Sequence, residues 1–119
     1  MVDAATKSAS VALIRVRKRA ERLAELRASA ASVLSLYPGA SLWLFGSLAR
    51  GDWDAYSDVD VLAVAKDQTT ANQLAEAVLA NGIADDAVAL TTADWLKQAR
   101  TDDPYWRAIA REALHLAEA

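Results

Sequence analysis

Two short apolar runs, Leu42 to Phe45 and Val59 to Val64, bracket a polar stretch that opens with Gly46-Ser47 and closes with Asp58-x-Asp60. Each run has the length and side chains of a strand. Ten residues separate Ser47 from Asp58, room for a short helix and a return loop between neighbouring strands. Side chains two apart on a strand point the same way, so Asp58 and Asp60 aim both carboxylates into one space. Hard cations such as Mg2+ take oxygen ligands, commonly one or two carboxylates plus substrate phosphates, and the pair reads as half of a metal site. Gly46-Ser47 reads as the other half. A glycine after a strand lets the backbone turn tightly and approach a ligand, and the serine starts a helical turn whose free N-H groups face an anion.

The pattern Gly46-Ser47, ten residues, Asp58-x-Asp60, with Ala49-Arg50-Gly51 inside the spacer, resembles the signature of the DNA polymerase beta-like nucleotidyltransferases. The short chain is similar to their minimal nucleotidyltransferase domains. Two glycines, a serine, an arginine and two aspartates at set spacing are far more specific than a lone Gly-x-Gly. The resemblance implies an α/β fold: a mixed sheet of three to four strands flanked by helices, in the order α-β-(short α)-β-α-β-α. It also implies that Asp58 and Asp60 hold Mg2+ on the triphosphate of ATP, with Gly46 and Ser47 on the outer phosphates. In the family a third acidic residue on the third strand takes the proton of the acceptor hydroxyl. Matching Asp-x-Val-x-Leu gives Asp86 that role and a place as third metal ligand, with Asp85 as the alternative. Both aspartates also read as turn residues after Gly82. Arg50 either touches the triphosphate or braces the loop through aspartates, since a guanidinium pairs with phosphate and carboxylate alike.

At 119 residues the chain is expected to form one domain spanning 1–119, without a separate acceptor-binding module. Hydrophobic residues make up 54% and the net charge is -3, an ordinary globular composition that does not favour binding to long nucleic acid. The chain has no cysteine, which excludes disulfides and thiolate metal sites. No apolar run reads as a signal peptide or a membrane span, so the expected location is the cytoplasm and no membrane partner is expected.

Apolar residues at Leu13, Val16, Ala20, Leu23, Ala30, Val33, Leu34 and Tyr37 follow helical spacing and predict a helix from about Thr6 to Leu36, stopped by Pro38-Gly39. Arg15, Lys18, Arg19 and Arg22 form a basic stripe on it, read chiefly as a solvated face and alternatively as a contact for a triphosphate, an RNA or an acidic partner. Thr69 or Thr70 is expected to cap a helix through Leu74 to Leu79 that ends at Asn81-Gly82. A strand is expected over Asp85 to Leu90, then a capping box of Thr91 and Asp94. The helix it starts breaks at Asp102-Asp103-Pro104, and a last helix runs from Tyr105 to Leu116. His115 then sits at the carboxyl end of a helix dipole. Trp43, Trp95 and Trp106 read as core or partner-facing anchors, and Trp53 and Tyr56 as closing over a nucleotide or facing a partner.

Small stand-alone proteins of the resembled kind are typically antitoxins encoded beside HEPN-domain RNase toxins, and some transfer AMP to a tyrosine of the toxin. The Pro104-Tyr105-Trp106-x-x-Ile109-x-x-Glu112-Ala113 segment is similar to the family's carboxyl-terminal helix. The resemblance therefore implies an Mg2+-dependent adenylyltransferase with ATP as substrate and a HEPN toxin as partner in a hetero-oligomer. Two alternatives stand beside it: the same chemistry on a small molecule or a tRNA end, and a non-catalytic module that neutralises a partner by contact.

Overall fold

The structure, a computed structural model, describes residues 4–52 and 58–119, with side chains from Ser10 onward. Its elements are α1 (Ala4–Leu34), β1 (Ser41–Phe45), α2 (Ser47–Arg50), β2 (Asp60–Ala65), α3 (Gln68–Ala80), β3 (Asp86–Thr91), α4 (Thr92–Gln98), α5 (Pro104–Glu112) and β4 (Leu114–Glu118). The strands form one mixed sheet in the order β3-β2-β1-β4. β1 is antiparallel to both its neighbours, whereas β2 and β3 run parallel. The parallel pair needs a crossover, and α3 supplies it. The expected small α/β fold, a mixed sheet flanked by helices, is the one observed.

Strand alternation sorts the sheet into two faces. Leu42 and Leu44 of β1, with Val61, Ala63 and Ala65 of β2, join Leu23, Leu26, Ala30 and Leu34 of α1 and Leu74 and Val78 of α3 in a buried aliphatic core. The intervening residues Trp43, Phe45, Leu62, Val64, Val88 and Leu90 face the other way, onto Trp95 of α4 and Trp106 and Ile109 of α5. No polar or charged residue among the described ones is buried, so the carboxylates sit at the rim of the sheet rather than in its core.

Local signals explain the element ends. Thr91 Oγ1 accepts from the Asp94 amide, the expected capping box, and Asp103 caps α5 with Pro104 in its first turn. Asn81 caps the end of α3, and Gly82 follows with a positive φ. Asp67, rather than Thr69 or Thr70, caps the start of α3, because its carboxylate takes both the Thr70 amide at 2.8 Å and the Thr70 hydroxyl at 2.9 Å.

Four other expectations are corrected. The first helix ends at Leu34, ahead of Pro38-Gly39, through tightened bonds from the Leu36 amide to Val33 O and from the Tyr37 amide to Leu34 O. Only its carboxyl-terminal half packs on the sheet: Leu13, Val16 and Ala20 are exposed, and Leu26, absent from the expected stripe, is buried. The last helix stops at Glu112, and Leu114–Glu118 is a strand on the free edge of β1. Leu114-His115-Leu116 alternates, and pairing it satisfies a row of β1 backbone groups that a longer helix would leave open. His115 accordingly lies on an edge strand, with its ring edge-on to Trp43 at 4.8 Å, and not at a helix terminus.

Candidate active site

The amino end of β2 carries the acidic residues. Asp60 is its first residue and pairs in register with Phe45 on one side and Asp86 on the other, so Asp60 and Asp86 point to the same face of the sheet. Asp58 joins Asp60 in lining a cleft of about 520 Å³, together with Gly46, Ser47 and Arg50. The expected phosphate turn and the expected carboxylate pair thus share one space.

Gly46 shows how tightly they share it. Its φ is +81°, a left-handed conformation that side chains resist, and a Cβ built there would stand 2.7 Å from Asp60 Oδ2. Any other residue at this position must push the carboxylate away. The first bond of α2 runs from the Arg50 amide to Gly46 O at 3.0 Å. The amides of Ser47, Leu48 and Ala49 precede it and have no i-4 acceptor within the helix. Arg19 of α1 fixes the turn from behind: its Nε donates to Leu48 O and its NH2 group to Ala49 O, each at 3.0 Å. One member of the basic stripe is therefore a brace for the turn, a role that spacing on α1 alone does not reveal.

Arg50 lines the cleft and also pairs with carboxylates, with Asp52 at 3.4 Å and with Glu112 at 3.9 Å. Both expected readings of this residue keep a geometric basis. Trp53 and Tyr56 lie outside the described residues.

The two candidates for the third carboxylate separate cleanly. Asp85 turns back on the chain, where its Oδ2 accepts from the Val59 amide at 2.7 Å while its own amide donates to Val59 O at 2.9 Å. It is a clasp between β2 and the start of β3. Asp86 is exposed, and its Oδ1 accepts a local bond from the Ala87 amide at 3.0 Å. It stands beside Asp60 but outside the lining of the cleft, on the open side toward the sheet edge.

Burial raises the Asp60 pKa above its ordinary value, the charges of Asp86, Asp58 and Asp85 raise it further, and Arg50 offsets part of this. Negative charge is concentrated here with one guanidinium to balance it. No group of three acidic, histidine or cysteine side chains among the described residues is arranged to hold a metal ion. Asp58 and Asp60 do share the cleft, and a hard cation that draws its remaining oxygens from phosphate and water fits that donor pair.

The far wall of the cleft comes from α5: Tyr105, Ala108, Ile109 and Glu112. Sequence reasoning placed a helix here but not its part in the site. The signal was available, because positions 105, 108, 109 and 112 fall on one helical face.

Free helix-start amides beside two carboxylates, at the strand ends of a mixed α/β sheet, are an arrangement suited to phosphoryl-group chemistry. The sequence model of the nucleotidyltransferase domain matches residues 26–102, well over half of the chain, and the chain belongs to that family, within the DNA polymerase beta-like superfamily. No curated protein and no solved structure matches it. No helix among the described residues is long and apolar enough to cross a membrane.

Proposed function

We propose that this nucleotidyltransferase moves AMP from ATP to a tyrosine of a partner protein, a HEPN-type ribonuclease toxin, and silences it as its antitoxin. The observation that carries the reading is the convergence of Gly46, Ser47, Arg50, Asp58 and Asp60 on one cleft, with Asp86 beside Asp60 in the sheet register. Gly46 and Ser47 bind the outer phosphates through backbone amides, and Arg50 exchanges a carboxylate partner for a phosphate oxygen. Asp58 and Asp60 hold the divalent cation, Mg2+, which supplies charge neutralisation at the phosphate oxygens when bound. Asp86 accepts the proton of the attacking hydroxyl; the bond from that oxygen to the α-phosphorus forms, the α-β bridging bond breaks, and pyrophosphate leaves.

A protein acceptor is supported by the surroundings of Asp86. It is exposed, at the start of an edge strand and outside the cleft, so an acceptor reaches it from an open side. A large partner that brings its own surface suits that arrangement better than a small molecule, which gains affinity from enclosure. The contact-only reading has one observation in its favour, the exposed Val11, Leu13, Ile14 and Val16 on the projecting half of α1.

The decisive experiment is the intact mass of the partner after incubation with this protein, ATP and Mg2+. A gain of one or more AMP units with wild type, and none with Asp58→Asn, is the expected result. A stable inhibitory complex with no mass gain moves the function to contact alone.

A further inference from the structure

The cleft has two walls of different chemistry. Gly46, Ser47, Arg50, Asp58 and Asp60 make one of amides and charges, while α5 makes the other from the Tyr105 ring, Ala108 and Ile109, with Glu112 at its end paired to Arg50. Ile109 is explained by packing, because it is buried against the sheet together with Phe45. Tyr105 is not: it is 64% exposed, and its aromatic neighbour Trp106 meets it edge-on at 5.8 Å. A large ring held at the mouth of a charged cleft, on a helix anchored by Asp103 at its start and Ile109 at its middle, is a preorganised flat surface.

The lining of the cleft then assigns it an occupant. Asp86 stands outside that lining on the β3 edge, whereas Tyr105, Ala108 and Ile109 of α5 line it together with the Gly46 turn, Asp58 and Asp60. With phosphates on the turn and the acceptor beside Asp86, the part of the nucleotide that does not react has the α5 wall to itself. That part is a flat heterocycle with apolar faces, which aromatic rings hold by stacking.

We propose that α5 is the nucleobase wall of the cleft, with Tyr105 stacking on the base and Ala108 and Ile109 flanking it. This rests on the nucleotidyl-transfer reading and adds to it a base-binding surface outside the family-matched residues 26–102. Stacking accepts every base but scales with ring area, so the wall favours purine over pyrimidine nucleotides without reading their edges.

Titration calorimetry on the full chain tests it with three ligands, MgATP, MgCTP and magnesium tripolyphosphate, against wild type, Tyr105→Ala and Tyr105→Phe. Tyr105→Ala is expected to weaken MgATP by about tenfold while tripolyphosphate changes by less than about twofold, and Tyr105→Phe restores ATP binding. The preference for ATP over CTP shrinks in Tyr105→Ala. Unchanged ATP binding, or an equal loss for ATP and tripolyphosphate, overturns the base-wall assignment alone. Failure of wild type to bind either ATP or tripolyphosphate overturns the nucleotidyl-transfer reading as well.

Discussion

The two faces of the sheet are packed by different rules. On the α1 and α3 side, Leu42, Leu44, Val61, Ala63, Leu74 and Val78 are fully buried and aliphatic. On the α4 and α5 side the layer is aromatic and only partly covered, with Trp43, Trp95 and Trp106 half-buried around Phe45 and Leu62. Asp60 and Asp86 have the strand parity of this second face. The difference teaches a division of labour: one face fixes the strands in place, and the other gives up close packing so that a cleft can open between sheet and helix.

The largest effect expected to test this division is in Asp60→Asn. Transfer should fall by at least about 100-fold, because a carboxamide ligates a hard cation poorly. The same variant should melt slightly higher than wild type without divalent cations. The sign follows from the raised Asp60 pKa: its contribution to stability is present below the ordinary 3.8 and is lost as pH rises through the folded value. A thermal melt at neutral pH in chelator reads it, and an unchanged or lower midpoint counts against a cost from burial and charge crowding at Asp60. Next in size is the contrast between faces. Leu74→Ala should cost about 2–5 kcal/mol in denaturant unfolding, and Trp95→Ala, already half-exposed, about 1–2 kcal/mol despite its greater size. Equal losses would erase the distinction. Gly46→Ala should cost about 1–3 kcal/mol of backbone strain and depress transfer more than stability, since it displaces Asp60. The smallest effect belongs to Asp67, whose pKa is lowered first by the Thr70 amide and then by the Thr70 hydroxyl. That contribution is present above the ordinary value and lost as pH falls through the folded one, so Asp67→Asn should lower stability slightly at neutral pH, and its difference from wild type should vanish as pH falls below the folded value.

How legible each part was in the sequence follows from the range of the interactions involved. The Gly46-Ser47 turn, the Asp58-Asp60 pair and the Thr91 cap are set by neighbours within a few residues, and the structure has them where the spacing puts them. The choice between Asp85 and Asp86 was not legible, because it depends on which of them meets the Val59 amide across to β2. The place of the fourth strand, at Leu114–Glu118, was missed for a related reason. Ala113, Leu114 and Leu116 suit helical and alternating patterns equally, and the open edge of β1, about seventy residues earlier, decides between them. Arg19 belongs to the same group: its partners Leu48 and Ala49 are 29 and 30 residues away.

The contact between Gly46 and Asp60 has a consequence for how such a site changes over time. The Gly46 turn and the Asp60 carboxylate touch with no room for a single carbon between them. Neither can drift alone, because a side chain gained at 46 relocates the carboxylate, and a bulkier group at 60 presses on the turn. Changes at the two positions are expected to be accepted together or not at all.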